Sequence, residues 1–250
     1  MSFHYEDIVP WGRSFDEYLD MFDLSEDDLA RDIIDVGGGP AAFNVGMHQR
    51  GTPIISVDPI YRYSEAELRQ RIQETYKDII TQAFGNRDKF VWTRFSSVGE
   101  LVAFRRQTME EFCQDFETGR QQGRYVVAAL PNLPFPDRHF DLVLSAHLLF
   151  FYSANRDLAF HLDAVRELLR IGTEVRIFPI VDVNNSLSPF VLPVIRELKK
   201  DGIDSTFETV PYHLQKTGNQ MLRLWRSRLT PLRLLGRFKT SPAACISSDS

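Results

Sequence analysis

Asp35-Val36-Gly37-Gly38-Gly39-Pro40 follows the apolar pair Ile33-Ile34, and Ile54-Ile55-Ser56-Val57 runs into a second acid, Asp58. Glycine at a turn lets the main chain approach a ligand closely and take positive φ without a Cβ clash. A helix read from Ala41 to Arg50 would add unpaired N–H groups at its start. Nucleotide-like cofactors sit at such strand–turn–helix junctions in α/β proteins. A carboxylate ending the next strand, Asp58, suits ribose hydroxyls because it offers two acceptor oxygens. Ser145-Ala146-His147 closes another apolar run, with Tyr152 following. His147 could be a general base, since an imidazole titrates near neutral pH. It reads equally as a histidine that bonds a neighbouring loop and shapes a pocket, and Tyr152 carries the same two readings.

The glycine pattern alone leaves the cofactor open, because Gly37-x-Gly39-x-x-Ala42 also fits a loose dinucleotide fingerprint. Asp35 argues against a pyrophosphate, which a carboxylate would repel, and for a cationic amine. The second discriminator is Leu133-Pro134-Phe135-Pro136-Asp137-Arg138-His139-Phe140-Asp141-Leu142-Val143-Leu144-Ser145. With these residues the chain resembles the class I methyltransferases that use S-adenosylmethionine (SAM). It is most similar to bacterial members of unassigned substrate that share Arg124-Tyr125-Val126 through Phe135 and Glu174-Val175-Arg176-Ile177-Phe178-Pro179. The resemblance spans roughly residues 15–226. It implies SAM as cofactor, methyl transfer to a small or medium acceptor, and a Rossmann-like α/β fold of seven mostly parallel strands ending in an antiparallel hairpin.

The resemblance also implies roles. Asp35 would anchor the methionine amine directly or through water, or else merely cap the turn. Gly37, Gly38 and Gly39 would let the backbone pass the methionine and ribose, with Ala41 in place of a third family glycine. Asp58 would hold the ribose. Ile60 and Tyr61 would flank the adenine, although Tyr61 reads equally as a surface aromatic. Relatives often carry an acid where this chain has Ala129, which removes a hydrogen bond of about 1 kcal/mol. The main chain of Ala129 and Leu130 could still read the adenine edge. Ser145 falls at the end of strand 4, where cofactors lie. Tyr18 and Met21 could cover the methionine end or be plain core, and Tyr212, His213 and Gln215–Asn219 could line the acceptor pocket.

The elements that must position these residues are legible from periodicity. Helix is expected over 15–30 with Ser14 or Asp16 as cap, a capped turn at Ser25, and strands near 32–36 and 53–58. Capping signatures at Ser64-x-x-Glu67 and Ser97-x-x-Glu100 open two helices inside a long connection, about 62–123. That stretch exceeds an ordinary crossover, and reads as a lid, a substrate-shaping cap or a decoration on the sheet edge. Strands follow near 124–129, 140–145 and 173–179, with helices at 157–169 and 189–200. Runs at 206–214 and 220–225 read as a hairpin. His161 lies on the apolar face of its helix, as a core histidine would, and Asp141 opens strand 4 at the far edge.

Composition sets the remaining bounds. At 250 residues and 43% hydrophobic, one domain over 1–240 can bury a full core. Residues 241–250 read as a disordered tail. No apolar run is long enough for a membrane span, and the start lacks the pattern of a secretory leader. Cys113 and Cys245 make neither a disulfide framework nor a metal site, so a reducing cytoplasm is the expected setting. Residues 221–240 contribute +6 to a net charge of −5, so the remainder stands at −11. An acidic body is a poor nucleic-acid binder, while the basic end could touch a membrane surface or an acidic partner. Two alternatives stay open: a non-catalytic binding protein of methyltransferase form, and an NAD-dependent oxidoreductase, for which no Tyr-x-x-x-Lys pair is found.

Overall fold

The structure, a computed structural model, describes residues 11–227. The expected tail and most of the basic 221–240 segment lie outside the described residues. The helices are α1 Phe15–Phe22, α2 Glu26–Leu29, α3 Phe43–Gln49, α4 Glu65–Gly85, α5 Val98–Gln121, α6 Leu158–Ile171 and α7 Val191–Lys200. The strands are β1 Ile33–Val36, β2 Ile55–Val57, β3 Tyr125–Val126, β4 Phe140–Ala146, β5 Gly172–Phe178, β6 Ile203–Thr209 and β7 Gln220–Arg226. They form one sheet in the order β3-β2-β1-β4-β5-β7-β6. β1 to β5 pair in parallel, and β7 inserts antiparallel between β5 and β6.

Parallel strands covered on both faces read as continuous apolar runs, and all four residues of β1 are buried, Asp35 included. On one face Ile34, Val36 and Val143 pack with Val165, Leu168 and Leu169 of α6 and Val194 and Leu198 of α7. On the other, Ile33, Leu142 and Leu144 pack with Tyr18, Met21 and Phe22 of α1 and Phe43 and Met47 of α3. The Tyr18 ring stacks on Phe43 with centroids 4.4 Å apart. Met21 is thus plain core, the second of its two readings.

The two long helices between β2 and β3 have the capping starts that the sequence predicts. At α4 the Ser64–Glu67 box closes in both directions. At α5 Ser97 caps the helix, but the Glu100 carboxylate bonds Ser96 instead. The far half of α5 packs Phe112 and Phe116 on Tyr61 and Tyr125, so Tyr61 is buried and not a surface aromatic.

Two strand expectations need correction. β3 spans two residues, not six: Pro131 and Pro134 cannot donate to a ladder, and Ala129 instead turns to bridge Asn132. β6 begins at Ile203 and ends at Thr209, ahead of Pro211. Residues 210–219 leave the sheet and dock elsewhere, with Tyr212 N donating to Asp20 O (3.2 Å) and Val91 N to Leu214 O (2.7 Å).

Candidate active site

The strand order reverses direction between β1 and β4, and ligands bind outside the carboxyl ends of strands at such a switch point. A cavity of about 940 Å³ opens there, the upper end of the size range for ligand sites. Gly37, Gly38, Gly39, Asp58, Ile60, Ala129, Leu130, His147 and Tyr152 all line it. Tyr18 joins them from α1, Leu101 and Arg105 from α5, and Tyr212, Leu214 and Gln215 from the connector before β7. His213 instead points outward, its Nε2 3.1 Å from Lys216 O.

The glycine turn is fixed to β2 by Gly37 N donating to Val57 O at 2.8 Å. Gly37 and Gly39 have φ of 79° and 54°, which side chains rarely tolerate. A Cβ on Gly38 would lie 2.3 Å from Asp35 Oδ2, whereas one on Gly39 would meet nothing nearer than Asp58 Oδ2 at 4.0 Å. The wall is therefore close-packed behind Gly38 and open in front of Gly39.

Asp58 accepts from Gly39 N (3.0 Å) on Oδ2 and from Ile60 N (2.9 Å) on Oδ1. Among the described residues no cation pairs with it, and burial raises its pKa from 3.8 to about 6 against the pull of those two N–H groups. Tyr61 locks the turn from behind, its hydroxyl donating to Gly39 O at 2.9 Å.

Asp35 and Ser145, two further expected cofactor residues, do not line the cavity. The Asp35 carboxylate lies under the turn, accepting from Tyr18 Oη (3.1 Å) and Ser56 Oγ (3.3 Å). Burial raises it to about 7, with the charge of Asp58 pushing the same way. Ser145 is fully buried with an unbonded Oγ. The alternation of β4 puts it on the same face as Val143, against α6.

His147 stands at positive φ (51°) just past β4, its N donating to Phe178 O at 2.6 Å. Its ring meets Phe151 and Phe178 edge-on, and Nδ1 has no hydrogen-bond partner. Burial, then the charges of Arg13 and Arg105, push its pKa well below the imidazole range. The ring is a weak base, and among the described residues Nδ1 does not make the expected bond to a neighbouring loop. His161 is a buried core histidine as read, with Nδ1 2.7 Å from Asp157 O and Nε2 3.2 Å from Leu149 O.

Apart from Tyr212, sequence reasoning missed the cluster at the far end of the cavity. Glu17, fully buried, holds the Arg105 guanidinium and accepts from Tyr212 Oη at 3.0 Å, while Ser14 N donates to it at 2.9 Å. Burial alone would raise Glu17, but Arg105, Arg13 and Ser14 bring it down to about 2. Ser14 was legible as the cap of α1, which Glu17 completes as a capping box. Its second use, tying α1 to α5 and to the connector before β7, was not, since the partners lie 88 and 195 residues away. Arg13 also lines the cavity, and among the described residues its one side-chain hydrogen bond is to Trp11 O (2.6 Å). Nothing in its spacing marked it.

The methyltransferase domain family matches residues 102–175, a span running from α5 to β5. Uncharacterized protein MJ0045 of Methanocaldococcus jannaschii is 32% identical over 222 residues, covering 88% of this chain and 97% of that protein. The chain belongs to one family with that protein, and its residues 102–175 are those of a methyltransferase domain. Among solved structures similar to this methyltransferase is magnesium protoporphyrin IX methyltransferase (ChlM) from Synechocystis PCC 6803 with bound SAM. It has a TM-score of 0.46 and 11% identity, covering 85% of this chain and 78% of that one. Mitomycin 7-O-methyltransferase MmcR gives 0.42 and 12%, covering 85% of this chain and 54% of that one. Among the described residues of the methyltransferase, no helix is long and apolar enough to cross a membrane, and no group of three His, Cys, Asp or Glu is placed to hold a metal ion. Arg223, part of the basic segment, pairs with Glu174 and Glu208.

Proposed function

We propose that this protein transfers the methyl group of SAM to a small acceptor inside the switch-point cavity. The observation that carries this reading is Asp58, a half-buried carboxylate with no cationic partner among the described residues, on the cavity wall beside the open face of Gly39. Such a carboxylate suits neutral hydroxyl donors like those of a ribose.

In this reading Asp58 accepts from the ribose, and Ile60 with the main chain of Ala129 and Leu130 flanks the adenine. Gly37 to Gly39 give the amino-acid end room against the backbone. Asp35 acts from behind, fixing Tyr18 and the underside of the turn, with any contact to the amine passing through water. SAM, when bound, supplies a methyl group already activated by its sulfonium. The protein's task is then to hold the acceptor in line and exclude water. His147 and Tyr152 face the acceptor end, and we assign His147 to shaping that pocket, because a neutral imidazole beside two guanidiniums is a poor proton acceptor. Cys113, a buried free thiol raised to about 11 by burial, fits a cytoplasmic setting.

The test is calorimetric titration with SAM, S-adenosylhomocysteine and NAD, on the native protein and on Asp58→Ala. The expected result is micromolar binding of SAM and S-adenosylhomocysteine, weakened at least tenfold in the variant. Binding of NAD alone overturns the reading. SAM binding with no methyl transfer to any compound in a metabolite extract would favour a non-catalytic binding protein, which Ala129 and the weakness of His147 as a base also suit.

A further inference from the structure

Among the described residues, four nitrogens of the cavity-lining side chains are buried without a hydrogen-bond partner: Trp11 Nε1, Arg13 Nε, Arg105 Nε and His147 Nδ1. The indole and the two guanidinium nitrogens can only donate. A buried donor left unpaired is costly, and native structures leave few. Orphan donors on one cavity therefore mark the place of a ligand rich in acceptors.

Charge narrows the ligand further. Arg105 is balanced by Glu17. Among the described residues Arg13 has no carboxylate partner, which leaves them with one excess positive charge at this end of the cavity. The wall's own carboxylates are elsewhere: Asp58 is bonded within the turn, and Asp182 accepts from Asn184 N (2.8 Å) and Ser186 N (3.0 Å) at the rim. The amino-acid end of the cofactor does not cancel the excess, because its ammonium and carboxylate offset each other and the sulfonium adds a further positive charge. One unpaired guanidinium matches a single negative charge better than the double charge of a phosphate monoester. Leu101, Leu148, Phe151 and Leu214 add apolar surface to the same cavity.

We propose that the methyl acceptor is a small carboxylate with an apolar or aromatic body, and that Arg13 receives its carboxylate. This rests on the methyl-transfer reading above and names its substrate class. Arg13 is then a specificity residue, and a planar guanidinium is suited to a carboxylate in a way that an ammonium is not.

The test compares benzoate with benzamide, and phenylacetate with phenylacetamide, as ligands of the protein saturated with S-adenosylhomocysteine. Native protein, Arg13→Met and Arg13→Lys are titrated alike. The expected result is a preference of tenfold or more for each carboxylate over its amide, lost in Arg13→Met and partly kept in Arg13→Lys. Arg13→Met should melt at or above the native temperature, since it removes a half-buried charge that has no carboxylate partner among the described residues, so loss of the preference is not loss of the fold. Equal binding of acid and amide by the native protein overturns the proposal. So does an Arg13→Met protein that binds S-adenosylhomocysteine more than tenfold weaker yet methylthioadenosine unchanged, because Arg13 would then hold the cofactor's own carboxylate. If the native protein binds no S-adenosylhomocysteine, it is the methyl-transfer reading that fails. The acid-to-amide comparison without it still decides the role of Arg13.

Discussion

Asp58→Asn separates the cost of a buried charge from the hydrogen bonds that hold it. The native carboxyl is raised from 3.8 to about 6, so between these values the folded state binds the proton that the unfolded state releases. Stability must then fall as pH rises through that window. At about 1.4 kcal/mol for each pH unit that the carboxyl is raised, the penalty is roughly 3 kcal/mol at pH 8, and only about 1 kcal/mol at pH 4.5. Asparagine carries no charge and escapes the penalty at every pH. It also turns an amide NH₂ toward Gly39 N or Ile60 N, at a constant cost of about 1–3 kcal/mol. The variant should therefore gain on the native protein by about 2 kcal/mol between pH 4.5 and pH 8, whatever the constant cost. Removing the Asp58 charge also relieves Asp35, which it helps to raise, so the gain can only be larger. Urea unfolding of both proteins at several pH values measures it. A stability difference that stays flat across this range would refute the claim that Asp58 is a charge stored in the wall. The same variant should bind S-adenosylhomocysteine about tenfold more weakly at pH 8, through loss of an acceptor for the ribose.

Other outcomes follow from the same geometry. Glu17→Ala should destabilise by about 3–5 kcal/mol, since it strands Arg105 in the interior, and denaturant titration reads this directly. Because Glu17 is lowered from 4.5 to about 2, its contribution is complete above pH 4.5 and lost as pH falls toward 2; acid unfolding of native protein and variant should converge there. Gly39→Ala places a methyl into the open face beside Asp58 and strains a left-handed residue by roughly 1–2 kcal/mol; calorimetry should show a loss of cofactor affinity of tenfold or more with a modest fall in melting temperature. His147→Gln should leave the turnover rate within about threefold and the pH profile unmoved, whereas loss of a true general base would cost about 10²–10⁴-fold.

The glycine-turn side of the cavity was largely legible in the sequence because its residues are local to strand ends. Gly37 to Gly39, Asp58 and Ile60 belong to two strand–turn junctions, and a junction's chemistry follows from the residues that compose it. Even there, Asp35 shows the limit. Its position at the end of β1 was readable, but which way its carboxylate faces depends on Tyr18 and Ser56, brought to it from α1 and β2.

The alternation of apolar and polar residues, the capping boxes and the prolines determined by themselves most of the elements and the parallel architecture, since these are near-neighbour effects on backbone conformation. Only the tertiary structure decided the acceptor end. Arg13, Glu17, Arg105 and Tyr212 come from three separate stretches of chain, and nothing near them in sequence explains their meeting. Their meaning lies in a balance of buried charges, two guanidiniums against one carboxylate, and that balance exists only once folding has excluded the water that would otherwise have screened it.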